Sequence, residues 1–536
     1  MTHQPSTTAL AGRKEWTAFV VLLLPLLLVS MDVSVLFFAI PAITRELAPT
    51  STQQLWIFDI YALTLAGLLI TMGSLGDRIG RRKLLLFGAA AFGAASVGAA
   101  YAQNAEMLIA ARAVLGIGGA TLMPSTMALI RNMFTDERQR TKAIGIWSGA
   151  MAGGIALGSV MSGIMLEHFW WGSVFLINVP AMLLLLVLVP VLVPEFKGAE
   201  RGRFDLLSVP LSMGSVLPVI YGLKEIAAYG FSVPRVLWIA VGAVVGCLFV
   251  RRQRRTTRAM ISRELFRGRG FGAGIALNAL AAFAMMGSAY FTTQYLQSVL
   301  GMSTMRAALW SMAPSIAVGI AAPTASAIAQ KVERAYVVTA GFLIAAAGFA
   351  LLFCVGTDAL WLLLAGAAVS SCGIVTVMAL VADMALSSAP VAKAGSAASL
   401  LETGQEFGGA LGMAILGSIG TAVYRANMPA AAPAQSRETL AGATATGDPG
   451  LVHAAREAFV SGMHGAAVGG AVLLLLGAVL APVLLRARRR PAGDVPPHRG
   501  DRQRVPVAAG DRIGAADPAG GRIGAADGQK CTSEQA

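Results

Sequence analysis

Charge is what this 536-residue chain has least of. Only 13% of its residues are Asp, Glu, Lys or Arg, about half the ~25% of a soluble globular domain. With 56% hydrophobic residues and a mean hydropathy of +0.67, no single core could hide the apolar surface behind a polar shell. The chain therefore reads as a polytopic membrane protein. Its long uncharged runs make it helical rather than a barrel. Cysteine is also scarce: Cys247, Cys354, Cys372 and Cys531 form no close pair, which excludes a disulfide framework and a cysteine zinc site. The five histidines are scattered, with no H-E-x-x-H, so no catalytic metal is expected. No G-x-x-x-x-G-K-[ST] loop occurs, which argues against ATP hydrolysis. An enzyme is not expected.

What is there is a succession of apolar runs. Fourteen candidate spans fall near 17–40, 54–75, 84–102, 107–130, 143–166, 173–193, 206–223, 236–250, 271–294, 307–329, 335–355, 359–386, 397–423 and 459–485. The seventh and eighth are the weakest. The first run is too long for a signal-peptide core and lacks a cleavage site, so it is expected to stay as a span. Before residue 486, 24 Lys and Arg fall in the N-terminal tail and alternate loops, against seven in the others. That asymmetry predicts both termini in the cytoplasm. It also accounts for the net charge of +14 without a nucleic-acid partner. The eight arginines of 251–270 read either as an anionic-lipid contact or as a topology-setting loop. Residues 424–458 form the longest external loop. Residues 486–536 read as a disordered cytoplasmic tail carrying the twice-written Arg-Ile-Gly-Ala-Ala-Asp at 512 and 522.

The loop after span 2 reads Gly73-Ser-Leu-Gly76-Asp77-Arg78-Ile-Gly80-Arg81-Arg82-Lys83. In that order it resembles the signature loop between helices 2 and 3 of the major facilitator superfamily. Span 4 carries Arg112 in Ala-Ala-Arg112-Ala-Val-Leu-Gly116-Ile-Gly118, similar to the superfamily's buried-arginine motif. Span 5 carries Gly154-Ile-Ala-Leu-Gly158-Ser159-Val-Met-Ser162-Gly163. It resembles the antiporter motif, with Ser159 in place of its proline and Ser162 in place of a glycine. Met31-Asp32, Leu55-Trp56-Ile-Phe-Asp59-Ile-Tyr61, Leu122-Met-Pro124, Phe175-Leu-Ile-Asn178-Val-Pro180, Arg203-Phe-Asp205 and Lys393 to Gly408 extend the resemblance over nearly the whole membrane region. They point to the fourteen-helix drug:proton antiporters and, within them, to the quaternary-ammonium-compound exporter branch.

That resemblance implies two six-helix bundles (17–193 and 271–485) separated by an extra helix pair (206–250), and a midplane site between the bundles. Residues 1–16 and 251–270 are then a cytoplasmic tail and a cytoplasmic loop. It implies a multi-pass protein of the cytoplasmic membrane, a monomer among its lipids, with the proton as coupling ion and no other cofactor. Export of lipophilic cations by alternating access follows. Export of one endogenous antibiotic or metabolite is the alternative.

Six ionisable residues fall inside apolar spans: Asp32, Asp59, Arg112, Asp383, Glu402 and Glu406. At mid-helix each costs about 2.5–3.5 kcal/mol on the mildest scales, so such groups face water-filled cavities or pair, and they mark function. Glu402 and Glu406, one turn apart, share a face of span 13. Two carboxylates that close, and poorly hydrated, suit proton exchange against a cation. The resemblance places Asp32, Arg112, Glu402 and Glu406 in proton coupling, although a purely structural Asp32–Arg112 pair is the rival. Asp59 is expected about one turn inside span 2, beside Trp56 and Tyr61. That set, with Glu402, suits a lipophilic cation through charge and cation–π attraction of about 0.5–2 kcal/mol. It also reads as an aromatic belt with a solvated acid, and the resemblance favours binding. Gly73, Asp77, Arg78, Gly80, Arg81, Gly154, Gly158 and Gly163 are the expected gating residues. Asp383 is expected to be hydrated. Residues 314–323 contain no acid, whereas some relatives in the branch place an aspartate there; strongly dicationic substrates are therefore not expected.

Overall fold

The computed structural model describes residues 11–197, 207–255, 263–266, 269–388 and 394–485. The Arg203-Phe-Asp205 lead-in, Lys393, most of the arginine-rich loop and the tail from 486 lie outside the described residues. Fourteen helices are long and apolar enough to cross a membrane. They are α1 (Arg13–Leu47), α2 (Ser51–Ile79), α3 (Arg81–Ala100), α4 (Ala105–Met133), α5 (Glu137–His168), α6 (Ser173–Leu192) and α7 (Ser208–Tyr229). They continue with α8 (Val233–Arg255), α9 (Arg269–Gln294), α10 (Thr304–Ile328), α11 (Arg334–Phe353), α12 (Leu360–Ser387), α13 (Ala394–Asn427) and α14 (Pro449–Leu485). Each matches one expected span in order.

Local chemistry sets the ends. Thr50 and Gln53 form a reciprocal capping box at the start of α2, with the Gln53 N–H donating to Thr50 Oγ1 at 3.2 Å and the Thr50 N–H to Gln53 Oε1 at 2.9 Å. Asn104 and Asp136 cap α4 and α5 by their side chains alone, accepting from the Met107 and Gln139 N–H groups. The helix of α6 is interrupted at Ile177, just before Asn178-Val-Pro180, and the Asn178 amide donates to Ser96 Oγ at 3.1 Å. Gly230, at φ +81°, ends α7 in a conformation that favours glycine. Hydropathy alone ends this span at 223, which leaves Lys224 in the following loop. The helix runs one and a half turns further, and Lys224 is buried inside it.

Helices α1–α6 pack among themselves, as do α9–α14. The two groups meet along two seams. At one, α2 packs on α13, and α7 lies against both of them with α8 behind it. At the other, α5 packs on α10. Two one-turn helices, Ala434–Glu438 and Leu440–Thr444, lie over one end of the bundle, here the loop face. The signature loop lies at the opposite face.

The seams differ. The α2–α13 seam is filled toward the signature-loop face, where Ile70 packs against Leu265, Phe271, Leu400 and Leu401. The α5–α10 seam is joined near the loop face: Met305 packs on Gly163, and its N–H donates to Glu167 Oε1 at 3.3 Å. Further along the same stripe of α5, a Cβ at Gly153, Gly149 or Gly145 would meet nothing within 4 Å. On the facing stripe of α10, Ile316 is 67% exposed and Gly319 also borders open space. The molecule is thus closed at the loop face and parted between α5 and α10 toward the signature-loop face.

Candidate functional site

All but Asp383 of the charged residues expected in the spans lie where α1, α2, α4, α9 and α13 meet. Arg112 of α4 is buried and ion-paired with Asp32 of α1. Its Nε donates to the Ile57 carbonyl of α2 at 3.0 Å, and its guanidinium lies 4.5 Å from the centre of the Tyr61 ring. One side chain therefore ties three helices together. Close backbone approach makes this possible. A Cβ on Gly116, one turn beyond Arg112, would lie 2.7 Å from the Tyr61 carbonyl.

Beside this pair is a cavity of about 50 Å³. Asp59, Tyr61 and Arg112 line it from the first bundle, and Gln405, Glu406 and Met286 from the second. Such a volume holds one or two waters and is far below the ~300 Å³ of a drug-sized site. Glu402 lies one turn along α13 from Glu406, and its Oε1 is buried without a hydrogen-bond partner. Among the described residues neither glutamate forms an ion pair. The Tyr61 hydroxyl is likewise buried and unpartnered. Polar groups left in this state are where a proton, water or ligand is accommodated.

Asp59 is not in a solvated belt. It lies eight residues into α2, about 12 Å along the axis, and is 1% exposed. Its partner is Lys224 Nζ at 2.6 Å, and that ammonium also sits 4.1 Å from the centre of the Trp56 ring. Of the expected set, Asp59 and Trp56 thus share a cation that is not conspicuous in the sequence, whereas the Tyr61 ring lies against Arg112 instead. The missed signal was the apolar run Ile226-Ala-Ala-Tyr229 beyond Lys224, closed by Gly230.

The expected gating residues occupy two other places. In the signature loop Asp77 pairs with Arg81 at 2.6 Å, one turn apart. Gly80, at φ +113°, joins α2 to α3. The following amides, of Arg82 and Lys83, donate to the Glu195 carboxylate at 3.0 and 3.2 Å. Glu195, another residue missed from sequence, so caps α3, favourably placed at a helix N-terminus. Arg82 also reaches the Val193 carbonyl at 3.1 Å. Arg78 is exposed, and Gly73 lies at an ordinary distance from Pro124. In α5, Gly154 and Gly158 pack on α1, where a Cβ would come within 2.9 Å of the Leu27 and 2.8 Å of the Met31 carbonyls. Ser159 and Ser162, the two departures from the motif, donate to the Ile155 and Gly158 carbonyls of their own helix at 3.3 and 2.6 Å. Asp383, 62% exposed, pairs with Arg334 at 2.9 Å away from the cavity.

A fourteen-helix bundle with charged groups converging between two six-helix groups is the architecture of a membrane transporter. The chain belongs to the Major Facilitator Superfamily, whose family model matches residues 22–413. It is 40% identical to the multidrug efflux pump LfrA of Mycolicibacterium smegmatis, over 90% of this chain and 98% of that protein. It is 32% identical to the methyl viologen resistance protein SmvA of Salmonella typhimurium, over 89% of this chain and all of that one. Among solved structures, the inward-facing, unoccupied bacterial homologue of the lysosomal transporter Spinster shares the fold. Its TM-score is 0.64 at 16% identity, covering 89% of this chain and 99% of that one. The fourteen apolar helices and this membership make the chain a multi-pass protein of the inner membrane.

Proposed function

We propose that this protein is a proton-coupled multidrug antiporter that exports lipophilic cations across the cytoplasmic membrane, with both termini in the cytoplasm. The observation that carries the reading is the convergence of Asp59 and Glu406 on one cavity between the bundles, with Glu402 buried and unpartnered one turn away. The multidrug efflux pump LfrA supports it, as does SmvA, named for resistance to methyl viologen; that compound is a dication, so the lack of an acid in residues 314–323 does not by itself argue against dicationic substrates.

In this reading the signature-loop face is cytoplasmic, and the opening between α5 and α10 is the inward entry. A lipophilic cation approaches deprotonated Glu402 and Glu406, Tyr61 on the cavity wall and the Asp59–Trp56 pair, and the cavity widens to admit it. Protons from outside then neutralise the carboxylates and release the cation. The Asp32–Arg112 pair links α1, α2 and α4, so protonation of Asp32 frees Arg112 to re-pair and shifts these helices together. Each proton moved down one pH unit contributes about 1.4 kcal/mol, and each charge crossing 100 mV about 2.3 kcal/mol.

The test uses purified protein in vesicles enclosing a pH-sensitive dye, with an inside-acid gradient and ethidium added outside. Ethidium-triggered proton release that vanishes in Asp32→Asn supports antiport with Asp32 in coupling. Release that survives Asp32→Asn keeps antiport and moves coupling to Glu402 and Glu406. No response to ethidium or benzalkonium from folded protein sinks the cation reading.

A further inference from the structure

The Lys224–Asp59 pair has no place in the cycle above, yet it occupies the acid assigned to substrate. We infer that Lys224 is a tethered counter-cation, stored on the extra helix α7 in the carboxylate–indole cage of Asp59 and Trp56, which a lipophilic monocation must displace in order to bind.

The inference rests on the proposed substrate role of Asp59, and the geometry takes it further. An organic ammonium is recognised by an opposing carboxylate and the face of an aromatic ring. Lys224 Nζ has both, at 2.6 Å from Asp59 Oδ2 and 4.1 Å from the Trp56 centroid. The cage is therefore already of the right dimensions for a single positive charge. Both ends of the pair are buried, at 1% exposure each.

The hold on the ammonium is incomplete. It carries three protons, but among the described residues its one carboxylate partner is Asp59, and Nζ has no hydrogen-bond acceptor of good geometry. A structural ion pair in an apolar interior is normally completed by further hydrogen bonds, because apolar residues would otherwise serve as well. Arg112 is completed in this way, by Asp32 and the Ile57 carbonyl. Lys224 is not.

The tether also comes from the right element. Helix α7 packs on α2 and α13 at the seam between the bundles, and Asp59 lines the cavity from its other side. Displacement of Lys224 by substrate would therefore report occupancy to α7 and α8. It also sets the charge selectivity. One ammonium leaves as one monocation enters, so the cage stays neutral, whereas an uncharged drug gains nothing by the exchange.

The test is equilibrium binding of tetraphenylphosphonium to the full-length protein in detergent, with the uncharged dye Nile red as control. If Lys224 occupies the cage in about nine molecules of ten, its removal tightens cation binding about tenfold. Lys224→Met is expected to show that gain for tetraphenylphosphonium and none for Nile red. Lys224→Gln keeps a donor to Asp59, serves if the methionine variant misfolds, and carries the same expectation. Asp59→Asn combined with Lys224→Gln is expected to lose the gain. Unchanged or weaker cation binding in a folded Lys224 variant, or an equal gain for both probes, overturns the inference. Ethidium transport by the unaltered protein judges the export reading separately. Transport without a Lys224 effect removes this inference alone, and a Lys224 gain without transport removes the export reading and leaves the cage.

Discussion

At the scale of single residues, two buried ion pairs carry different expectations. Asp32 and Arg112 are each 2% exposed at the side chain, and Arg112 also holds a carbonyl and an aromatic face. Removing one member leaves an uncompensated charge, at a cost of about 3–5 kcal/mol. Arg112→Gln is therefore expected to lower the melting temperature of the purified protein strongly. Asp32→Asn with Arg112→Gln should recover most of the loss, since no lone charge remains. A double variant no more stable than Arg112→Gln alone would show that Arg112 stabilises through Ile57 and Tyr61 rather than through Asp32. These two residues were legible because a charge amid apolar residues is conspicuous in sequence. Lys224 was not, because it stands within two turns of a helix end, where a lysine in a loop and a buried lysine look alike. Glu195 was hidden for another reason: its task is to cap α3, more than a hundred positions earlier in the chain.

At the scale of helices, span number and order were legible because a bilayer demands runs of about 20 apolar residues. Span ends were less so, because they depend on caps such as Thr50, Asp136 and Gly230 rather than on hydropathy. The small residues of α5 were recognisable as a series, but not which neighbour each would meet. The structure separates them into two faces with opposite expectations. A Cβ on Gly158 would already lie 2.8 Å from the Met31 carbonyl, so Gly158→Val forces α5 away from α1. It is expected to lower stability by about 1–3 kcal/mol, as overpacking does, and to abolish transport. A Cβ on Gly149 meets nothing within 4 Å, so Gly149→Leu should leave the melting temperature within a few degrees. If α5 and α10 close on each other during the cycle, the same variant still stops transport. Full transport by Gly149→Leu would mean that this face never closes.

At the scale of the whole molecule, what holds the closed end is a set of polar contacts between the bundles, mostly at the loop face. The Ser51 N–H and hydroxyl of α2 donate to Glu438 Oε2 at 3.0 and 2.7 Å. Glu438 Oε1 pairs with Arg425 of α13, and Arg425 in turn donates to the Ala228 carbonyl of α7 and lies over the Tyr229 ring. Gln54 donates to the Tyr290 hydroxyl at 3.0 Å, and Gln294 to the Phe37 carbonyl at 3.1 Å. One carboxylate thus joins both bundles and the extra pair. Hydrogen bonds to charged groups are worth about 1.5–3 kcal/mol each, and each 1.4 kcal/mol changes a minor population about tenfold. Glu438→Ala should therefore raise the fraction opened at the loop face by about tenfold or more. Thr44 reads this out, since it is 3% exposed and lines a cavity of about 50 Å³ beside Glu438. With the native cysteines replaced, a cysteine introduced as Thr44→Cys is expected to react slowly with a bulky maleimide, and about tenfold faster once Glu438→Ala is added. An unchanged rate in protein that still melts cooperatively would mean that the apolar contacts of the bundles, not this clasp, decide which face is closed. A faster rate accompanied by slower ethidium transport would place the clasp in the transport cycle itself, as the element that keeps the loop face shut until substrate is loaded.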